Sequence, residues 1–181
     1  MTSMKSLVLL PAATAALLLL GAPASGQEAA SALRGHNTDA PVDVAADRIE
    51  VQDRADRAIF SGNVVARQGN LTMNAARVTV AYSNAGGIEI NRIDASGGVT
   101  VRSPSETARG QLAVYDLKSR LITLLGNVTL TRGESNVNGG RLVLDLDTGR
   151  AVMDGGGRGA AGTSATGGRV TGRFTVPQRS N

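Results

Sequence analysis

The sequence predicts an all-β fold, and three observations carry that prediction. The 181-residue chain holds 23 glycines, no tryptophan and only 2% aromatic residues. A core must then be built from Val, Leu, Ile and Ala, with many turns between short elements, a composition that suits strands better than packed helices. A unit of about 30 residues recurs three times through the centre of the chain, and within each unit apolar residues alternate with polar ones. Such a period of two places one face of each strand inward.

Taken in order, residues 1–26 read as an export signal: Lys5, an apolar run from Leu7 to Leu20, then small residues to Gly26. The run contains Pro11 and is shorter than the about 20 residues that a membrane-spanning helix needs, so cleavage after Ala24 or Gly26 is expected. No cysteine follows the cut to carry a lipid anchor. An extracytoplasmic chain follows, and the periplasm is its expected compartment. Residues 27–40 read as an N-terminal linker, with His36 a solvated part of it.

The domain is expected to span 41–154, where 13 Lys and Arg balance 13 Asp and Glu. Residues 155–181 hold four Arg, no acid and eight glycines, which reads as a basic, flexible tail. Within it, Arg169 to Val176 alternates and is compatible with one last strand.

Inside the domain, Gly62-Asn63-Val64, Gly97-Gly98-Val99 and Gly126-Asn127-Val128 recur at intervals of 35 and 29. Gly and Asn tolerate positive φ, so each triplet predicts a bend or bulge. Between them lie the alternating stretches that begin at Val78, Leu112 and Leu142. Residues 44–60 are rich in Ala and charge and also allow a helix, but Asp53-Arg54-Ala55-Asp56 suits a hairpin turn and strands are expected. Further turns are expected at 83–87, 103–105 and 147–149. A lone strand pair cannot bury its apolar face, so the units must stack into a continuous sandwich or short solenoid. The segments from Val42 to Val51 and from Arg141 to Asp147 are expected to form its two free edges.

Several chemistries drop out. Without Cys and with one His, no disulfide, thiolate site or multi-histidine metal centre can form, and no cofactor is expected. Gly157-Arg158-Gly159-Ala160-Ala161-Gly162 has the letters of a dinucleotide loop but no acid follows, so a linker is the better reading. Asp43, Asp47, Glu50, Asp53 and Asp56 are interleaved with Arg48, Arg54 and Arg57 and read as a solvated face, not a paired-carboxylate site. Nucleic-acid binding lacks its basic, aromatic-studded face.

Ala46-Asp47-Arg48-Ile49-Glu50, Phe60-Ser61-Gly62-Asn63-Val64, Gln68-Gly69, Tyr115-Asp116 and Leu125-Gly126-Asn127-Val128 together resemble the periplasmic lipopolysaccharide-transport bridge proteins, the LptA/OstA family. The likeness runs from about Thr38 to Met153, and Ala75-Ala76-Arg77 departs from the family pattern. It implies a twisted, open β-jellyroll of two antiparallel sheets whose apolar interior takes lipid A acyl chains, without catalysis. It also implies head-to-tail copies linking an inner-membrane-anchored component to an outer-membrane barrel that share the fold. On that reading Val42, Val44 and Ile49 line the channel near its start. Phe60, Val78, Val80 and Val101 continue it, and Tyr115, Leu117, Leu142 and Leu144 complete it. An aliphatic groove and a dry core carry the same alternation. From residues alone, a lipid carrier and a structural adaptor domain that acts by edge-strand pairing both remain.

Overall fold

The computed structural model describes residues 36–84, 86–155 and 168–175. The export signal and the Gly157–Gly162 motif lie outside them. Among the described residues there are ten strands. These are β1 (Val42–Ala45), β2 (Arg48–Gln52), β3 (Arg57–Gln68), β4 (Leu71–Ser83), β5 (Glu89–Arg102), β6 (Glu106–Asp116), β7 (Leu121–Arg132), β8 (Ser135–Asp145), β9 (Ala151–Asp154) and β10 (Thr171–Arg173). A 3-10 turn, Asp53–Ala55, joins β2 to β3, so the charged stretch at 44–60 is strand and hairpin.

The six long strands form three hairpins, and these are the three sequence repeats. Every adjacent pair from β3 to β8 is antiparallel and shifts register near its middle, as between Ser61 and Val64 or between Leu125 and Val128. At that point β3, β5 and β7 carry pairs of residues with positive φ: Gly62 and Asn63 at 79° and 46°, Gly97 and Gly98 at 82° and 80°, Gly126 and Asn127 at 80° and 48°. A bulge bends its strand and raises the local twist. Aligned across six strands, the bulges fold one hydrogen-bonded sheet onto itself. Ala46-Asp47, between β1 and β2, continues the bend. Asp47 N–H donates to Gly62 O at 2.9 Å, and its carboxylate accepts from Asn63 Nδ2 at 2.9 Å.

The result is a twisted β-jellyroll. Layer 1 holds β1, one half of each long strand, and β10; layer 2 holds β2, the other halves, and β9. The interior is a set of cross-strand rows, because directly opposed residues share a face. In layer 2, Phe60, Val78, Ala95, Ala113, Leu124 and Leu142 stand in one row. In layer 1, Val44, Ala66, Met73, Val101, Ala108 and Leu130 form the matching row. Val78, Ile122, Leu124 and Leu142 are wholly buried, and each buried aliphatic side chain contributes about 1.5–3 kcal/mol.

One expectation is corrected. Arg141 to Asp147 is not a free edge: Val143 in β8 lies between Thr123 of β7 and Val152 of β9. Among the described residues the free edges at that end are β9 and β10. β10 comes from the segment read as a tail, and it pairs with 136–138 of β8. Alternation reports which face is apolar but carries no record of strand order.

The bend separates two costs that a substitution can impose. A Cβ at Gly97 would stand 2.6 Å from the Ala76 Cβ, whereas one at Gly98 meets nothing within 4 Å. Both have positive φ. Gly98→Ala is expected to cost about 1 kcal/mol in urea unfolding, and Gly97→Ala about 2–3 kcal/mol.

Candidate functional site

The site proposed by the sequence is an inner face, and the fold brings its residues onto one. Val78, Val80, Val101, Tyr115, Leu142 and Leu144 are buried there. Val42, Val44, Phe60 and Leu117 are partly buried and packed against them. Ile49 stands opposite Phe60 and so faces inward too, yet it is 57% exposed. Val51, opposite Ala58, is on the same face and 56% exposed. Layer 1 does not cover β2, and these two side chains form an open apolar rim.

The far end repeats this arrangement. Gly172 of β10 opposes Val137, and a Cβ on Gly172 would meet the Phe174 ring at 2.9 Å, which places that ring on the inner face. Phe174 is 70% exposed. Among the described residues, the apolar face therefore runs the length of the jellyroll and is uncovered at both unpaired edges.

Between its ends the described interior is narrow. Two hollows between the layers measure about 20 Å³ and about 10 Å³, against about 300–1,000 Å³ for a site that engulfs a small-molecule ligand. The first is lined by Val42, Ala66, Leu71, Met73, Ile93 and Tyr115, with Gln68 at its polar side. A larger recess of about 500 Å³ lies at the bend, but Asn63, Asn74 and glycine backbone make up much of its wall. On the side opposite the bend, where the hairpin turns of both layers end, the layers are not joined by backbone.

Polar groups cross that mouth. Tyr115 Oη of layer 2 donates to Gln68 Oε1 of layer 1 at 2.8 Å. Gln68 Nε2 donates to the carbonyl oxygens of Thr38 at 2.8 Å and Ala40 at 3.0 Å. His36 sits with Nδ1 2.8 Å from Asn70 Oδ1 and Nε2 3.3 Å from Gln68 Oε1. Arg120, in the β6–β7 turn, pairs with Asp39 at 3.3 Å and Asp147 at 2.9 Å. Residues 36–40 thus lie as a strap across the mouth. His36 is 7% exposed, so the solvated-linker reading is corrected. No periodic signal marks it, because its partners lie more than 30 positions away in sequence. Farther along, buried Glu106 is neutralised by Arg132, whose Nε donates at 2.6 Å.

Sequence reasoning missed Ile93, Ile122 and Leu124, all buried in the same core. The alternation that marked Leu142 and Leu144 also runs through Ile122 and Leu124. The acidic residues between Asp43 and Asp56 are all exposed, and among the described residues no cluster of three or more His, Cys, Asp or Glu stands close enough to hold a metal ion.

Burial pushes the Tyr115 phenol up to about 12, against the opposing pull of the Gln68 hydrogen bond and Arg120. The hydroxyl is therefore a donor at neutral pH. The unfolded phenol titrates near 10, so the stabilisation is complete below about pH 10 and is lost as pH rises toward 12. Tyr115→Phe is expected to cost about 1–2 kcal/mol at pH 7. It should also flatten the fall in stability between pH 10 and 12, read by urea unfolding at each pH.

Comparison with known proteins agrees with this geometry. The sequence profile described as LptA/(LptD N-terminal domain) LPS transport protein matches residues 43–150. An uncharacterized protein of Rhizobium meliloti (strain 1021) is 33% identical over 145 residues, spanning 75% of this chain and 78% of that protein. The crystal structure of LptH, described as the LptA-homologous periplasmic component of the lipopolysaccharide transport device of Pseudomonas aeruginosa, shares the fold. Its TM-score is 0.66 at 18% identity, covering 77% of this chain and 99% of that one.

Proposed function

Because the chain belongs to the LptA/LptD N-terminal-domain family of lipopolysaccharide transport proteins, a family that moves its substrate without chemical change, we propose that it carries lipopolysaccharide through the periplasm along its apolar inner face. The observation that carries this reading is the inner face that stays apolar from Ile49 and Val51 at one edge to Phe174 at the other. A dry core has no reason to leave such side chains uncovered at both ends. Lipid acyl chains, or the next copy, would cover them.

Stacked edge to edge, copies continue the face into one path. Unpaired strands β1 and β2 of one copy offer backbone donors and acceptors to β9 and β10 of the next. Such a contact joins different surfaces and need not close, so the assembly grows as a filament. Its two ends suit an inner-membrane-anchored component and an outer-membrane barrel bearing the same fold. The cleaved export signal expected at 1–26 belongs to this reading.

The alternative, an adaptor domain with a dry core, draws on the closed packing between the layers. Titrating the full chain with lipopolysaccharide, and with a phospholipid as control, separates the two: saturable binding of the first alone supports transport, and binding of neither supports the adaptor. Leu144→Asp places a charge at a wholly apolar position and is expected to lower lipopolysaccharide affinity at least tenfold, while Thr79→Asp on the outer face leaves it unchanged.

Assembly has its own signature. Light scattering over a range of concentrations should show mass rising continuously for the wild type. Ile49→Lys with Val51→Lys puts inward charges on the β2 edge and should hold the chain monomeric without altering its circular dichroism.

A further inference from the structure

Gln68 and Tyr115 are polar residues 4% and 2% exposed beside a hollow lined by Val42, Ala66, Leu71, Met73 and Ile93, with Arg67. The carboxamide of Gln68 is fixed in orientation. Its oxygen accepts from Tyr115 Oη, which turns both Nε2 hydrogens toward the mouth. There they meet two main-chain carbonyls, those of Thr38 and Ala40, from a segment that precedes β1. That segment is tied down mainly by side chains: Gln68, Asn70 against His36, and Arg120 against Asp39. Its own backbone contact is the Ala40 N–H to Asn37 O bond at 3.3 Å. It can leave without breaking the sheet, and segments held this way open at low free-energy cost.

We propose that Gln68, positioned by Tyr115, is a binding site for the amide- or ester-linked carbonyl at the head of an acyl chain, and that residues 36–40 occupy this site with their own carbonyls until lipid displaces them. The chemistry fits the location. An acyl lipid changes from apolar chain to polar head at its linking carbonyl. Here an apolar hollow lined by Val42, Leu71, Met73 and Ile93 changes, at Gln68, to a pair of oriented N–H donors. Apolar contacts alone cannot tell an acyl chain from an alkyl chain, whereas a buried donor left unpaired penalises the ligand that lacks its acceptor. The site would therefore select acylated over ether-linked lipids and set the depth at which the chain stops.

This inference rests on the lipid-carrying reading above, and the test separates the two. Binding of an N-acylated glucosamine lipid and of its ether-linked analogue, equal in chain length, is measured on the full chain. The wild type is expected to favour the amide lipid by about fivefold, the value of one neutral hydrogen bond. Gln68→Leu should abolish that preference. Gln68→Glu, which keeps an acceptor for Tyr115 and loses the paired donors, should abolish it too and guards against a folding defect in the first variant. His36→Ala with Asp39→Ala loosens the strap and should tighten amide-lipid binding severalfold. A preference that persists in both Gln68 variants, or equal affinity for the two lipids in the wild type, overturns the carbonyl site while leaving the lipid-carrying reading intact. Failure of every form to bind either lipid overturns both.

Discussion

Everything in this structure depends on one backbone constraint: every second long strand, β3, β5 and β7, must bulge at its middle and at the same height. Positive φ is tolerated cheaply by Gly and next best by Asn. The pairs Gly62-Asn63, Gly97-Gly98 and Gly126-Asn127 supply it on alternate strands. Without the bulges, six strands of 11 to 14 residues would form one broad sheet with an apolar face open to water. With them, that sheet closes on itself and its two halves bury each other. The three repeats are three copies of this device, and β1 with β2, and β9 with β10, finish each layer at its edges.

The same constraint explains how tightly packed layers can keep one side able to part. One side of the jellyroll is a covalent and hydrogen-bonded bend, and the other is held by side chains. Parting the layers there exchanges aliphatic contacts of Val, Leu and Ile for aliphatic contacts with acyl chains, which are similar in kind and strength. What opposes opening is then concentrated in the buried polar clasp of His36, Gln68 and Tyr115. Charge is otherwise balanced within layer 2, where Arg92 pairs with Asp94 at 2.7 Å and Arg141 with Asp154 at 3.2 Å. Exposed pairs of this sort contribute little to stability, so they do not offset the loss of the clasp.

The sequence made the bends and the inner rows legible because both rest on local rules. Gly-Asn-Val marks a bulge at both places where it occurs in this chain, and alternation from Val78 or Leu142 names the buried face without knowledge of the partner strand. Other features depend on distant partners and left no such mark. Ile49 was placed on the correct face, but its exposure depends on layer 1 stopping short of β2. The edge expected at Arg141 to Asp147 was covered by β9, a strand of only four residues with little pattern of its own. His36 joined the structure through Gln68 and Asn70, far along the chain, and composition around it resembled a linker. Gln68 was visible as part of the family likeness, and its role at the mouth was not.

The central claim is that lipid travels between the two layers and not over their outer surfaces. Adjacent residues of β7 face opposite ways: Leu124 is wholly buried within the core, and Thr123, opposite Val114 and Val143, looks outward. Replacing each in turn by a photoreactive amino acid and irradiating the full chain with lipopolysaccharide tests the claim at a single strand. The account predicts a crosslink to lipopolysaccharide from position 124 and none from position 123. Crosslinking from 123, or from neither while the lipid remains bound, would contradict it.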